Sequence, residues 1–149
     1  MRRRINILNP WVMAAGLLIT FLVIYFIHDL IVFMSGNKMD YLNIWTYIMG
    51  AMLVYALFST INLLYARETS KYYYKTLMAF AALLITGGLL ATWISGQNIL
   101  NLETYRKVLI FVIFTFLALV SIASMMKGLE NWTKSHDEKF LKNDSDEKE

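Results

Sequence analysis

Two adjacent ionisable residues, His28 and Asp29, stand near the end of a long apolar segment that begins at Trp11. Ionisable groups at membrane depth are costly and often mark an ion path or a ligand site. Neighbouring residues on a helix point about 100° apart, so this pair cannot face one narrow pore. Tyr25, one turn before Asp29, is better placed to share a wall with it. The sequence therefore suggests a polar membrane site formed by Tyr25, His28 and Asp29.

The depth of Asp29 in the bilayer leaves a second interpretation open. If the segment is centred near Leu22, Asp29 lies about 10 Å from the centre of a hydrocarbon core whose half-thickness is about 15 Å. A modest tilt would bring both ionisable side chains to the outer headgroups, where they would reach interfacial water. Asn62 adds a further candidate polar position, for which the alternative is an ordinary hydrogen bond between helices.

Residue types that commonly carry catalysis are scarce in this chain. It contains no cysteine, which excludes disulfides and thiolate chemistry, and only two histidines. No glycine-rich phosphate loop, His-Glu-x-x-His or Gly-x-Ser-x-Gly motif occurs. Disulfide-forming quinone enzymes, four-helix haem cytochromes and small multidrug exporters also cross the membrane four times. They need, respectively, a cysteine pair, several membrane histidines or a deep glutamate in the first span, which this chain lacks. We therefore predict no enzymatic activity, no cofactor and no metal.

The apolar segments define the elements that must hold these residues. Hydrophobic residues make up 58% of the 149, against 17% charged, and residues 44–65, 76–94 and 108–126 contain no ionisable acidic, basic or histidine side chain. About 20 residues of helix span a hydrocarbon core of about 30 Å. With a first span over residues 11–34, the sequence predicts an all-α integral membrane protein, a four-helix transmembrane bundle over residues 11–126.

The basic residues predict an orientation. Of the 14 lysines and arginines, 11 fall on the side of the two termini and 3 on the other side. Because basic residues resist translocation, the richer side is predicted to be cytoplasmic, with a basic N-terminal segment 1–10 and the loop 66–75 facing anionic lipid. The expected location is a bacterial-type plasma membrane.

Two outer loops resemble each other. Ser35-Gly36 and Ser95-Gly96 are predicted to end the first and third spans, and each is followed by an Asn-containing stretch that leads to Thr-Tyr, at 46–47 and 104–105. This similarity suggests two tandem helical hairpins that arose by duplication. The alternative is chance similarity, because both loops need a glycine that ends one helix and an asparagine that begins the next.

Small residues cluster in the third span and predict where helices pack closely. Small side chains let two helix backbones approach each other in a membrane. We expect the centre of the bundle at a set of five such residues, namely Ala81, Gly87, Gly88, Ala91 and Thr92.

The residues after the fourth span predict an amphipathic helix over 127–142. Four residues recur at spacings of three, four and four and so share one helical face: Leu129, Trp132, His136 and Phe140. Such a helix would lie along the inner membrane surface, and docking to a protein partner is the alternative. Residues 143–149 are predicted to be a disordered tail.

These patterns favour a non-catalytic role as an accessory, scaffolding or assembly component that acts through protein partners or as a homo-oligomer. The first alternative is a small oligomeric transporter or channel whose polar site lies near His28 and Asp29. The second is a quinone or lipid binder, which would need a cleft between spans lined by aromatic rings and polar tips such as Tyr25 or Asn62. No nucleic-acid partner is expected.

Overall fold

The computed structural model describes residues 9–36, 38, 40–41, 43–65 and 69–146, with the side chains of Thr69 and of residues 137–146 excepted. Four α-helices follow one another: α1 (Pro10–Met34), α2 (Asn43–Tyr65), α3 (Thr69–Ser95) and α4 (Glu103–Asp146), with a 3₁₀ turn at Ile99–Asn101 before α4. All four are long and apolar enough to cross a membrane. The predicted all-α four-helix bundle is confirmed, and the chain is a multi-pass membrane protein.

The helices begin and end where local signals favour it. The side chain of Asn9 accepts a hydrogen bond from the main-chain N–H of Trp11, and Pro10 occupies the first helical position. Gly36 and Gly96 have φ angles of 71° and 66°, the left-handed conformation that glycine adopts without a Cβ clash. The predicted glycine stops of the first and third spans are therefore confirmed.

Helix α2 lies at the centre of the bundle, where it packs against α1, α3 and α4. Helix α1 also packs against α3, whereas α3 and α4 touch little and leave a cleft between them. Tyr55, near the middle of α2, is fully buried and its ring lies 6.2 Å from that of Phe116 on α4. Phe80 of α3 stacks on Phe116 at 3.8 Å, which joins three helices through one aromatic cluster.

The two helical hairpins are packed differently. Helices α1 and α2 pack on each other, but α4 packs mainly on α2 rather than on α3, its partner in the second hairpin. The turns that follow α1 and α3 are nevertheless alike, since both contain a left-handed glycine. Duplication of a hairpin thus stays a hypothesis. The similar turns favour it, but the packing of α1 on α2 is not repeated between α3 and α4.

The C-terminal segment differs from its prediction. Residues 127–142, expected as a separate helix, continue α4 without interruption, and the helix extends through Asp146 into the predicted tail. The chain has a single proline, Pro10, so no proline breaks α4. Ion pairs from Glu130 to Lys127 and Lys134 support the helix across the expected boundary. The position of this segment along the membrane surface stays a prediction. Residues 1–8 and 147–149 lie outside the described part of the chain.

Candidate functional site

We call the end of the bundle that carries Pro10 and Tyr65 the terminal end, and the opposite end, with the turns after α1 and α3, the hairpin end. Tyr25 is buried near the hairpin end, with only 2% of its surface exposed. Its ring lies 5.7 Å from that of Tyr47, which stands one turn inside the start of α2. The His28 ring also lies against Tyr47, at 6.0 Å.

His28 is exposed and Asp29 is half-buried. Both residues therefore stand within two turns of the end of α1, at the height of the first turns of α2. The arrangement brings Tyr25, His28 and Asp29 together and gives Asp29 partial access to the surroundings of the bundle.

Asn62 belongs to a different part of the bundle. It lies fifteen residues beyond Tyr47 on α2, which corresponds to about 22 Å along the helix. Its side-chain N–H group lies 3.4 Å from the sulfur of Met13 on α1. Asn62 therefore forms no common site with Tyr25 and Asp29, and it links α2 to α1 near the terminal end.

A buried polar cluster outside the predicted site residues joins the middle of α2 to the first turns of α3. The Tyr55 hydroxyl donates a hydrogen bond to the main-chain carbonyl of Thr76 at 3.1 Å. The hydroxyl groups of Tyr72 and Thr76 are buried near this bond, and the Tyr72 hydroxyl lies close to the side chains of Asn62 and Thr76. Tyr72 and Thr76 are four residues apart and therefore share one helical face, which is the signal for this cluster that the sequence contains. The cluster connects helices and holds no acid–base pair.

The five small residues of α3 are divided between two environments. Gly87 and Ala91 are buried, and a Cβ built on Gly87 would lie 2.8 Å from the Cγ2 atom of Ile48 on α2. Gly88 and Thr92 are half-buried, and a Cβ on Gly88 would meet nothing within 4 Å. Ala81 is exposed. The close approach of α3 to α2 therefore occurs at Gly87, because only a residue without a side chain fits there.

One cavity lies in the cleft between α3 and α4, and another lies between α2 and α3. The cavity nearer the terminal end has a volume of about 310 Å³ and is lined entirely by apolar residues, among them Phe80, Ala81 and Phe116. The cavity between α2 and α3, nearer the hairpin end, has a volume of about 370 Å³, and its lining includes the polar residues Thr92 and Asn98. Tyr25 and Asn62 line neither of them. The cleft between α3 and α4 can hold an apolar chain.

Helix α4 changes character where α2 ends. The Tyr55–Phe116 contact sets the register, so that Tyr65, the last residue of α2, lies at the height of Met126. We call residues 128–146 the α4 arm. At 1.5 Å per residue it extends about 28 Å beyond the other helices.

The two faces of α4 behave differently at this height. The face that packs on α2 is apolar and buried at Val120 and Ala123. At the next positions along the same face it carries Lys127, Glu130 and Lys134. The opposite face stays apolar across the boundary, and both Leu129 and Trp132 have 65% of their surface exposed. The ring of Trp132 lies 5.4 Å from that of His136, while the side chain of Phe140 lies outside the described residues.

In the described part of the chain, no three of His, Asp and Glu come close enough to hold a metal ion. No protein-family model, no curated protein and no solved structure matches the chain. Its classification therefore rests on its own residues, and they identify an all-α multi-pass membrane protein in which α1, α3 and α4 pack around α2 and α4 extends beyond the bundle.

Proposed function

We propose that this chain is a non-catalytic assembly component of a membrane, which binds protein partners through the α4 arm. The observation that carries the proposal is the exposure of Leu129 and Trp132 beyond the height at which α2 ends. On the predicted orientation, the arm projects into the cytoplasm from a bacterial-type plasma membrane.

Exposed apolar surface on a projecting helix favours a binding role. Burying apolar surface contributes about 25 cal/mol per Å², and an amphipathic helix commonly docks through side chains spaced three and four apart. Leu129, Trp132 and His136 have this spacing and share one face. Lys127, Glu130 and Lys134 pair with one another on the other face, which keeps that face solvated.

A photo-crosslinking amino acid placed at Trp132 tests the proposal in native membranes. We expect a covalent adduct of defined mass upon irradiation, whether the partner is another protein or a second copy. The matched control carries the same crosslinker at Lys134, on the charged face, and should give an adduct of much lower yield. Equal adducts from the two positions, or none from Trp132, would contradict a docking role for the apolar face.

The position of His28 and Asp29 gives less support to transport than to this role. Both residues stand near the hairpin end, and His28 is exposed. A transport mechanism that uses Asp29 predicts that flux in proteoliposomes falls for Asp29→Asn. The assembly proposal predicts no flux that depends on this carboxylate.

A second candidate function, lipid binding, is favoured by the cleft between α3 and α4. The cavity of about 310 Å³ lined by Leu77, Phe80 and Leu84 suits an acyl or isoprenoid chain that enters from the bilayer. Ala81→Trp would fill this cavity from its exposed edge, and native mass spectrometry would then show loss of a copurifying lipid. Ala15→Trp, at an exposed position of α1, is the matched control and should leave the bound lipid in place. Equal lipid content in both variants would exclude the cleft as the binding site.

A further inference from the structure

The exposed face of α4 follows a seven-residue repeat. Starting at Val108, positions on this face recur alternately three and four residues apart as far as His136. Six of them are large apolar residues that are exposed to the surroundings: Val108, Phe111, Ile122, Met125, Leu129 and Trp132. We call this series of positions the α4 seam. An apolar repeat of seven sustained over four repeats is typical of helices that coil around each other with a left-handed supercoil.

Small residues on and beside part of the seam allow close approach. The third and fourth of its nine positions hold Thr115 and Ala118, which are half-buried. Beside it, at intervals of seven residues, the flank is large at Phe114 and small from Ser121 onward, at Ser121, Gly128 and Ser135. A Cβ added to Gly128 would meet nothing within 4 Å. Small residues on and beside a helix seam let a second backbone come close, both in lipid and in water.

The seam does not face the rest of the bundle. The α4 residues that pack on α2 include Phe116, Val120 and Ala123, which lie about 150° around the helix from the seam. The α3–α4 cleft uses Ile113, Phe116 and Leu117, which also lie off the seam. A partner on the seam can therefore bind without displacing any helix of the same chain.

Charge does not oppose pairing of the seam with itself. Between Val108 and His136, no acidic residue, lysine or arginine occupies the seam or the positions that flank it. The charges of this region, on Lys127, Glu130 and Lys134, lie on the far side of the helix and pair internally. Like charges facing each other would otherwise disfavour a parallel pair of identical helices.

We propose that the α4 seam binds the α4 seam of a second copy of this chain, in parallel, about a two-fold axis along the membrane normal. All copies share one orientation in a membrane, so identical helices meet side by side in parallel, and a two-fold contact is self-complementary. The pairing runs from Val108 through the α4 arm to His136. It rests on the proposed function, because it names the partner of the same arm.

The absence of cysteine makes the test direct, since each introduced cysteine is the only thiol in the chain. In a parallel pair, a seam residue meets its own counterpart across the two-fold axis. Oxidation in native membranes should therefore link Met125→Cys, Leu129→Cys and Trp132→Cys into dimers. The controls, Ser124→Cys and Asn131→Cys, lie well off the seam. We expect the seam variants to form disulfide at least about tenfold faster than the controls, because a disulfide needs Cβ atoms about 4 Å apart.

Two results would overturn the pairing. One is a flat profile, in which the rates at positions 124–132 do not follow the repeat. The other is the absence of dimers together with protection of Leu129→Cys and Trp132→Cys from a water-soluble thiol reagent, which would place the arm in the headgroup layer. The crosslinker at Trp132 separates this inference from the proposed function. Adducts with other proteins alone would overturn only the pairing, and a lack of any adduct would overturn both.

Discussion

The Tyr55 hydroxyl donates a hydrogen bond to the main-chain carbonyl of Thr76, 3.1 Å away, and both residues are fully buried between α2 and α3. Hydrogen bonds between membrane helices contribute about 0.6 kcal/mol on average and at most about 1.7 kcal/mol. We expect Tyr55→Phe to lower the free energy of unfolding by about 1 kcal/mol, because the ring keeps its contacts with Phe80 and Phe116. Unfolding in mixed micelles measures this change. Tyr65→Phe is the control, since Tyr65 is exposed. An equal loss of unfolding free energy in this variant would show that the effect of Tyr55→Phe does not come from the hydrogen bond.

Adjacent glycines in α3 should respond oppositely to alanine. Gly87→Ala places a Cβ 2.8 Å from Ile48, a buried β-branched residue that cannot easily move, so we expect a loss of about 1–3 kcal/mol. Gly88→Ala has open space and gains the helix preference of alanine, up to about 1 kcal/mol. The unfolding of the two variants should be compared under identical conditions. If Gly88→Ala were the more destabilising variant, the α2–α3 contact would not lie at Gly87.

Tyr25 and Asp29 should contribute unequally to stability although they are one turn apart. Truncation of the buried Tyr25 to alanine removes a large side chain and its contact with Tyr47, and we expect a loss of about 3–5 kcal/mol. Asp29→Asn alters a half-buried group near the end of α1 and should change stability by less than about 0.5 kcal/mol. Thermal unfolding in detergent distinguishes the two. A large loss for Asp29→Asn would show that its charge is engaged inside the bundle.

The orientation of the bundle can be checked with single cysteines at exposed positions. Gln97 follows α3 at the hairpin end, and Ser70 lies at the start of α3 at the terminal end. From the excess of basic residues at the terminal end, we expect a membrane-impermeant thiol reagent to label Gln97→Cys in intact cells. Ser70→Cys should react only after permeabilisation. Labelling of Ser70→Cys in intact cells would invert the topology and place the α4 arm outside.

Much of the fold could be predicted because membrane helices have simple physical requirements. A segment of about 20 residues without charge must satisfy its backbone internally when it lies in lipid, and this determines both the helix and its approximate limits. Proline at position 10 and the left-handed glycines 36 and 96 added the helix ends. The first charge after the fourth span, Lys127, predicts that this helix ends at about residue 126. A change from apolar to charged surface marks a change of solvent, however, and α4 continues through it.

The sequence by itself therefore determined the number of spans, their helical nature and the turns that end α1 and α3, because each of these follows from interactions between neighbouring residues and the solvent. Only the tertiary structure decided which helices pack together, since in lipid every apolar face is equally well solvated and the choice depends on shape. It separated Asn62 from Tyr25 and singled out Gly87 from Gly88. It also showed that α2 ends ten residues after Tyr55, so that Leu129 and Trp132 of α4 extend past the bundle. No local pattern contains this relationship, because it depends on the register between two helices that are far apart in the chain.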